Sequence, residues 1–229
     1  PRNLSTALMY SFAQRNDTQV LDEPLYGHYL RHVKVHHPGM DEVLDSMQEA
    51  GELVVEKLIS AGYSKNILFV KNMTAHLVAL DTSFLEKMTN IIYIRDPKRI
   101  LNSYAKVAGQ TTAHELGTQR QFELFEQLSA INKRPIVLDS TELLKNPSSV
   151  LKQLCRSCAI PWKESMLSWD AGPRPEDGVW AKYWYKNVHK STGFMSVDSP
   201  KIPLCASLNE IYIHLKPYYE AMFKYAIKA

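Results

Sequence analysis

The stretch IIYIRDPKRILNS, Ile91 to Ser103, decides the fold, because a short apolar run passes into a helical pattern through one turn. Ile91 to Ile94 fit a fully buried strand. Asp96 suits the cap of the following helix and Pro97 its first position. Arg95 therefore falls at the carboxyl end of the strand, where open α/β sheets place their ligands. Ser103 follows about two helical turns later. A fixed cation and a hydroxyl so placed suit one phosphate group, although an arginine–carboxylate pair beside a solvated serine would read the same way in isolation.

Working outward gives an alternation of elements. A helix is predicted from Ser5 to about Gln14 and a strand from Thr18 to Asp22. A long amphipathic helix follows from Asp41 to Ile59, then a strand from Asn66 to Val70. Beyond the opening stretch come a helix from Thr112 to Asn132 and a strand from Arg134 to Leu138. A short helix starts at Ser140 or Thr141, restarting at Asn146-Pro147 towards Ala159. The last helix, Leu204 to Ala229, is expected to kink or restart near Pro217. This order predicts an α/β fold with a parallel central sheet and helices on both faces, three layers in all. At 229 residues, one domain over 1–229 is the expectation.

The start of the chain, Pro1-Arg2-Asn3-Leu4-Ser5-Thr6, precedes the helical pattern Leu8, Met9, Phe12. Backbone amides and hydroxyls would converge there on a helix N-terminus, which favours anions, and Arg2 adds a charge. Taken with Arg95 and Ser103, this stretch resembles the PAPS-dependent sulfotransferase superfamily. In that family a P-[KR]-S-G-[ST]-T loop holds the 5′-phosphosulfate and an R-x7-S pair holds the 3′-phosphate. Pro1, Arg2, Ser5 and Thr6 match the loop, with Asn3-Leu4 in place of Ser-Gly; Arg95 and Ser103 match the pair. The resemblance implies PAPS as donor, PAP as product, and cofactor contacts from Arg2, Asn3, Leu4, Ser5, Thr6, Arg95 and Ser103. It also implies a strand just before the loop. Residues 1–229 do not include one, so the expectation is either a longer chain or a shortened relative with a compromised site.

Further candidates lie at strand ends. Asp22-Glu23-Pro24 delivers two carboxylates to the expected sheet edge; Glu23 corresponds to a glutamate that takes the acceptor's proton in several branches of the family, whereas Asp22 reads as a helix cap. Lys71 matches a family lysine that steadies the leaving phosphate. His76, three residues off the family spacing, is the second candidate base. Lys190, Ser191, Thr192 and Gly193 fall where the family brings a late basic loop over the nucleotide. Residues 161–203 hold all four tryptophans, Trp162, Trp169, Trp180 and Trp184, and read as a substrate-side cap, with core packing an equal reading for the first two.

Composition narrows the classes. The hydrophobic fraction is 45%, the charged fraction 22% and the net charge +3, which suit a soluble globular protein and give no argument for nucleic-acid binding. No apolar run approaches a membrane span. Three cysteines, with Cys155 and Cys158 inside a helical pattern, and an N-terminus without an apolar leader core point to a cytoplasmic protein with reduced thiols. Tyr26 to His37 reads as a mobile flap; His28, His32 and His36 could share a helical face, but no ligand set for zinc is evident, and no metal is expected. The leading reading is a sulfotransferase acting on a hydroxyl or amine of a small-molecule acceptor. A phosphate-loop nucleotide kinase or NTPase is the rival enzyme, weakened by the absence of G-x-x-x-x-G-K-[ST]. A nucleotide-binding module that has lost catalysis is the third.

Overall fold

The computed structural model describes residues 4–33, 37–105, 112–195 and 204–229. Its elements run α1 (Ser5–Ala13), β1 (Thr18–Asp22), α2 (Tyr26–His32), α3 (Met40–Ser46), α4 (Gly51–Ser60), β2 (Ile67–Lys71), β3 (Ile91–Ile94) and α5 (Pro97–Ala105). Then follow α6 (Ala113–Leu116), α7 (Thr118–Ala130), β4 (Ile136–Asp139), α8 (Ser140–Lys145), α9 (Pro147–Ser157), α10 (Ala181–Trp184) and α11 (Ala206–Phe223). The architecture is α/β with parallel strands, as the alternation predicts. The chain divides into two compact units. One comprises Ser5–Lys87 and Lys163–Phe194, the other Pro1–Leu4, Met88–Trp162 and Met195–Ala229.

In the first unit β1 pairs with β2 in parallel, from Thr18 opposite Ile67 to Asp22 opposite Lys71. Helix α1 packs on this pair, with Phe12 stacked on Phe69 at 4.1 Å between ring centroids. A separate cluster of Tyr26, Leu30, Val43, Trp180, Ala181 and Tyr185 joins α2 and α3 to the region around α10. In the second unit β3 pairs with β4 in parallel, ending with Ile94 opposite Asp139. Residue Ala226 forms a parallel bridge to Val137, and α11 contributes Leu215 to a cluster with Ile100, Leu101 and Leu116.

Three expected helices differ in detail. The single helix over 41–59 is two, α3 and α4. The Arg31 guanidinium donates to the carbonyls of Leu44, Met47 and Glu49, satisfying groups that a continuing helix would have bonded itself. Gly51 opens α4 against the His28 ring, where a Cβ would come within 2.4 Å of Nδ1. The helix expected over 112–132 breaks at Gly117, whose φ of 72° is left-handed and caps α6. Conversely, α11 runs through Pro217 without a restart. Proline deprives the Ile213 carbonyl of its donor, but Ile213 is 61% exposed, so water can replace the lost bond. Among the described residues no helix is long and apolar enough to cross a membrane.

Candidate active site

At the carboxyl end of β1 the backbone does something a regular strand does not. Successive strand residues point to opposite faces, so Asp22 and Glu23 should diverge. Glu23 instead has φ of 45°, a left-handed conformation costly for a residue with a side chain. Its N–H donates to the Lys71 carbonyl at 2.7 Å, and its own carbonyl accepts from the Tyr26 N–H at 2.9 Å. This twist brings both carboxylates to one ammonium. Lys71 Nζ lies 2.9 Å from Asp22 Oδ1 and 2.5 Å from Glu23 Oε1. Its third partner is the Tyr185 hydroxyl at 2.5 Å.

Tyr185, which follows α10, closes the cluster. Its hydroxyl donates to Asp22 Oδ2 at 2.7 Å and accepts from Trp180 Nε1 at 3.2 Å. All of these side chains are buried. Both oxygens of Asp22 thus receive a proton donor. Glu23 Oε2 is different: it lies 3.8 Å from His76 Nε2, too long for a hydrogen bond.

Burial pushes the Asp22 carboxyl up, against the pull of Lys71. Burial alone would pull the Lys71 ammonium down, yet Glu23 and Asp22 hold it well above its ordinary value. The Tyr185 hydroxyl is raised, chiefly by burial. His76 sits on the 3-10 turn Thr74–Leu77, stacked on Tyr26 at 5.0 Å. Burial, reinforced by Lys71, keeps its imidazole well below the usual range and hence neutral. His76 Nδ1 has no hydrogen-bond partner among the described residues.

The second unit carries the other candidates. Arg95 follows β3 and is half-buried; burial, then Arg99, pulls its guanidinium down. Ser103 is on α5, half-buried. Asp96 accepts from the Lys98 N–H at 2.8 Å, at the start of α5 as the sequence predicts. On the paired strand Asp139 caps α8, accepting from the amides of Thr141 at 2.8 Å and Glu142 at 3.0 Å, and from the Tyr219 hydroxyl at 3.1 Å. Burial raises it nonetheless.

Of the predicted residues, Glu23, Lys71 and His76 come together. Asp22 joins them, a correction to its reading as a helix cap: α2 starts after Leu25 with no side-chain cap, and the register opposite Lys71 turns the carboxylate to the ammonium. Ser5 and Thr6 begin α1, and Leu4 takes a left-handed φ of 68° where the resembling motif carries glycine. Arg2 and Asn3 lie outside the described residues, as does His36. Lys190 ends a 3-10 turn; Ser191 donates to the Val188 carbonyl and accepts from Trp169 Nε1. The Thr192 carbonyl accepts from the Trp169 N–H, and Gly193 bridges to Ser168. Trp169 and Trp180 are buried, Trp184 is 38% exposed. Tyr185 was not foreseen: it is one of 12 tyrosines, and no spacing marks it.

With this geometry stand the comparisons. The sulfotransferase domain family matches residues 1–226, and the chain belongs to that family. Two similar proteins of Arabidopsis thaliana are branched-chain-amino-acid aminotransferase-like proteins 2 and 1, at 42% and 44% identity over 197 residues. The matches cover 86% of this chain and 35% of each relative, so the chain spans about a third of their length. The solved sulfotransferase domain from the curacin biosynthetic pathway is similar in fold, with a TM-score of 0.54, 15% identity and 94% of each chain covered.

Proposed function

We propose that the chain is the catalytic domain of a PAPS-dependent sulfotransferase that transfers a sulfuryl group to a hydroxyl or amine of a small-molecule acceptor. The observation that carries this reading is the buried pair of Glu23 and Lys71, with one carboxylate oxygen held at 2.5 Å and the other without a hydrogen bond among the described residues. An oxygen so placed can accept a proton from an attacking group. The family match over both units supports reading 1–229 as one functional domain with 161–203 as its substrate-side region.

The residue types support PAPS as the donor. Arg95 is a half-buried cation crowded by Arg99, and an incoming phosphate would relieve both burdens. The hydroxyl of Ser103 supplies a further donor to the 3′-phosphate, and Ser5 and Thr6 at the N-terminus of α1, with Arg2, Asn3 and Leu4, supply the 5′ side. Lys190 to Gly193 remain the late loop assigned to the nucleotide. Bound PAPS supplies an activated sulfuryl group with PAP as leaving group.

Glu23 Oε2 takes the acceptor's proton as the acceptor's oxygen or nitrogen bonds to sulfur and the sulfur–oxygen bond to PAP breaks. Lys71 holds the other oxygen of Glu23 and places a positive charge beside the reacting groups. His76, neutral and buried, lies 3.8 Å from Glu23 Oε2 and offers the alternative base. Incubation with PAPS and an acceptor panel, following PAP release, tests the reading. Sulfuryl transfer that falls on Glu23→Gln is expected; magnesium-dependent ATP turnover instead would replace the reading with a phosphotransferase, and PAP binding without transfer to any acceptor would leave a binding module.

A further inference from the structure

The first unit holds a further buried carboxylate, Asp177, that no step described above uses. It closes the turn 174–177, where its N–H donates to the Arg174 carbonyl at 3.1 Å and its Oδ2 accepts from the Arg174 N–H at 2.9 Å. Its Oδ1 accepts from the Tyr10 hydroxyl of α1 at 2.6 Å, across 167 residues of sequence. Burial, then the bond to Asp177, raises the pKa of Tyr10, which keeps this hydroxyl a donor. The third partner is His189, with Nε2 at 2.9 Å from Oδ2. Two donors already point at the carboxylate, so this contact assigns the ring proton to Nε2. The Asp177 side chain is 6% exposed, and these bonds stand in for the water it has lost.

His189 stands at a junction. It lies on the 3-10 turn Val188–Lys190, at the threshold of residues 190–193. Its carbonyl accepts from the Gly172 N–H at 2.7 Å; beyond it the Thr192 carbonyl accepts from the Trp169 N–H at 3.1 Å and Gly193 bridges to Ser168. Those bonds join 189–193 to 168–172, a stretch with no helix or strand of its own. Both stretches reach α1 at Tyr10. Trp169 meets the Tyr10 ring edge-on at 6.2 Å, and the Arg174 guanidinium lies over it at 5.4 Å. Asp177 bonds to α1 and to the turn before 190–193 at once.

We infer that Asp177 is a positioning residue for the nucleotide: it clamps the turn that carries residues 190–193 to α1, and so holds this loop in place relative to Ser5 and Thr6 at the start of that helix. The inference rests on the reading of α1 and of 190–193 as PAPS contacts. A loop already held in its binding conformation loses less freedom when the ligand arrives. Released from Asp177, residues 190–193 would spend part of their time out of place, and the apparent affinity would fall by the fraction still in place.

The test is calorimetric titration with PAP of full-length wild type, Asp177→Ala, His189→Ala and His189→Gln, well below each protein's melting temperature, together with hydrogen exchange over residues 188–193. Loss of a hydrogen bond to a carboxylate should weaken PAP by about tenfold in Asp177→Ala and in His189→Ala. His189→Gln offers Asp177 an amide N–H in place of the imidazole and should stay within about threefold of wild type. Exchange over 188–193 should quicken in both alanine variants and slow again on saturation with PAP. His189→Ala leaves Asp177 bonded to Tyr10 and Arg174, which keeps the test usable if Asp177→Ala folds poorly. A merely structural role would lower the melting temperature and leave the PAP affinity of the folded protein unchanged, which overturns the inference. Glutamine as damaging as alanine at position 189, or unaltered exchange over 188–193, overturns it as well. If wild type itself does not bind PAP, the reading of the donor site fails and the inference falls with it. If wild type binds PAP and every variant matches it, the donor reading stands and this inference alone fails.

Discussion

The two parallel strand pairs end in similar residues and do opposite things with them. Where β1 meets β2, an acid and a lysine face each other in register and neutralise each other inside the protein. Where β3 meets β4, the acid at the corresponding end, Asp139, turns to cap α8, and the cation, Arg95, sits one residue past the strand beside another arginine. The first arrangement holds its cation between two carboxylates and, on the proposed reading, handles the acceptor's proton. In the second, a cation crowded by another arginine is, on the proposed reading, the one that receives a phosphate. The difference lies in what the strand-end carboxylate does: pair with the cation or cap a helix.

The harshest way to break this contrast is Lys71→Met. It leaves two buried carboxylates uncompensated, which should cost about 3–5 kcal/mol of stability and abolish turnover. Denaturant unfolding measures it, and a loss below about 1 kcal/mol would mean that the cluster is hydrated. Next is Glu23→Gln, which keeps the shape of the site and removes the base. Turnover should fall by about 10²–10⁴-fold, with PAP affinity unchanged in a binding titration. Unchanged turnover would transfer the role to His76 or to the substrate itself.

On the other side of the comparison, Arg95→Ala should weaken PAP by about tenfold to a hundredfold, as loss of a charge-assisted hydrogen bond does, while AMP binding barely changes. Ser103→Ala should act in the same direction with a smaller effect. Thermal shifts with PAP and AMP at equal concentration measure both. Equal binding of the two nucleotides to the unmutated protein would remove the 3′-phosphate site from Arg95. The smallest effect is expected from Asp139→Asn. Asparagine caps a helix about as well as aspartate, so stability should change by no more than about 0.5 kcal/mol. A large change would show that Asp139 carries charge chemistry after all and dissolve the contrast.

These two strand ends also mark how far the sequence can be read. Apolar runs bounded by Asp96-Pro97 and by Ser140 disclosed β3, β4 and the helices after them, because burial and capping are local signals. Glu23 and Lys71 were visible as charges at the ends of such runs. The helix breaks after Ser46 and at Gly117 were not, since the first depends on Arg31 reaching carbonyls of a different segment and the second on one glycine adopting φ of 72°. Asp22 looked like a cap because an acid before Pro24 usually is one. Its partnership with Lys71, 49 residues away, exists only once the strands align. Tyr185 lies 163 residues from Asp22, and no local pattern could have joined them.

That alignment has a consequence for how the chain reaches its native state. Residue pairs far apart in sequence close slowly, and a parallel pair has no hairpin turn to set its alignment. A slip of one residue would turn Asp22 to the opposite face and bury an unpaired ammonium or carboxylate in its place. Apolar strands such as Val20-Leu21 and Phe69-Val70 would tolerate that slip far better than the charges beside them. The ion pair between Asp22 and Lys71 therefore specifies the register: a chain that pairs the strands one residue out of step leaves a buried charge without its partner.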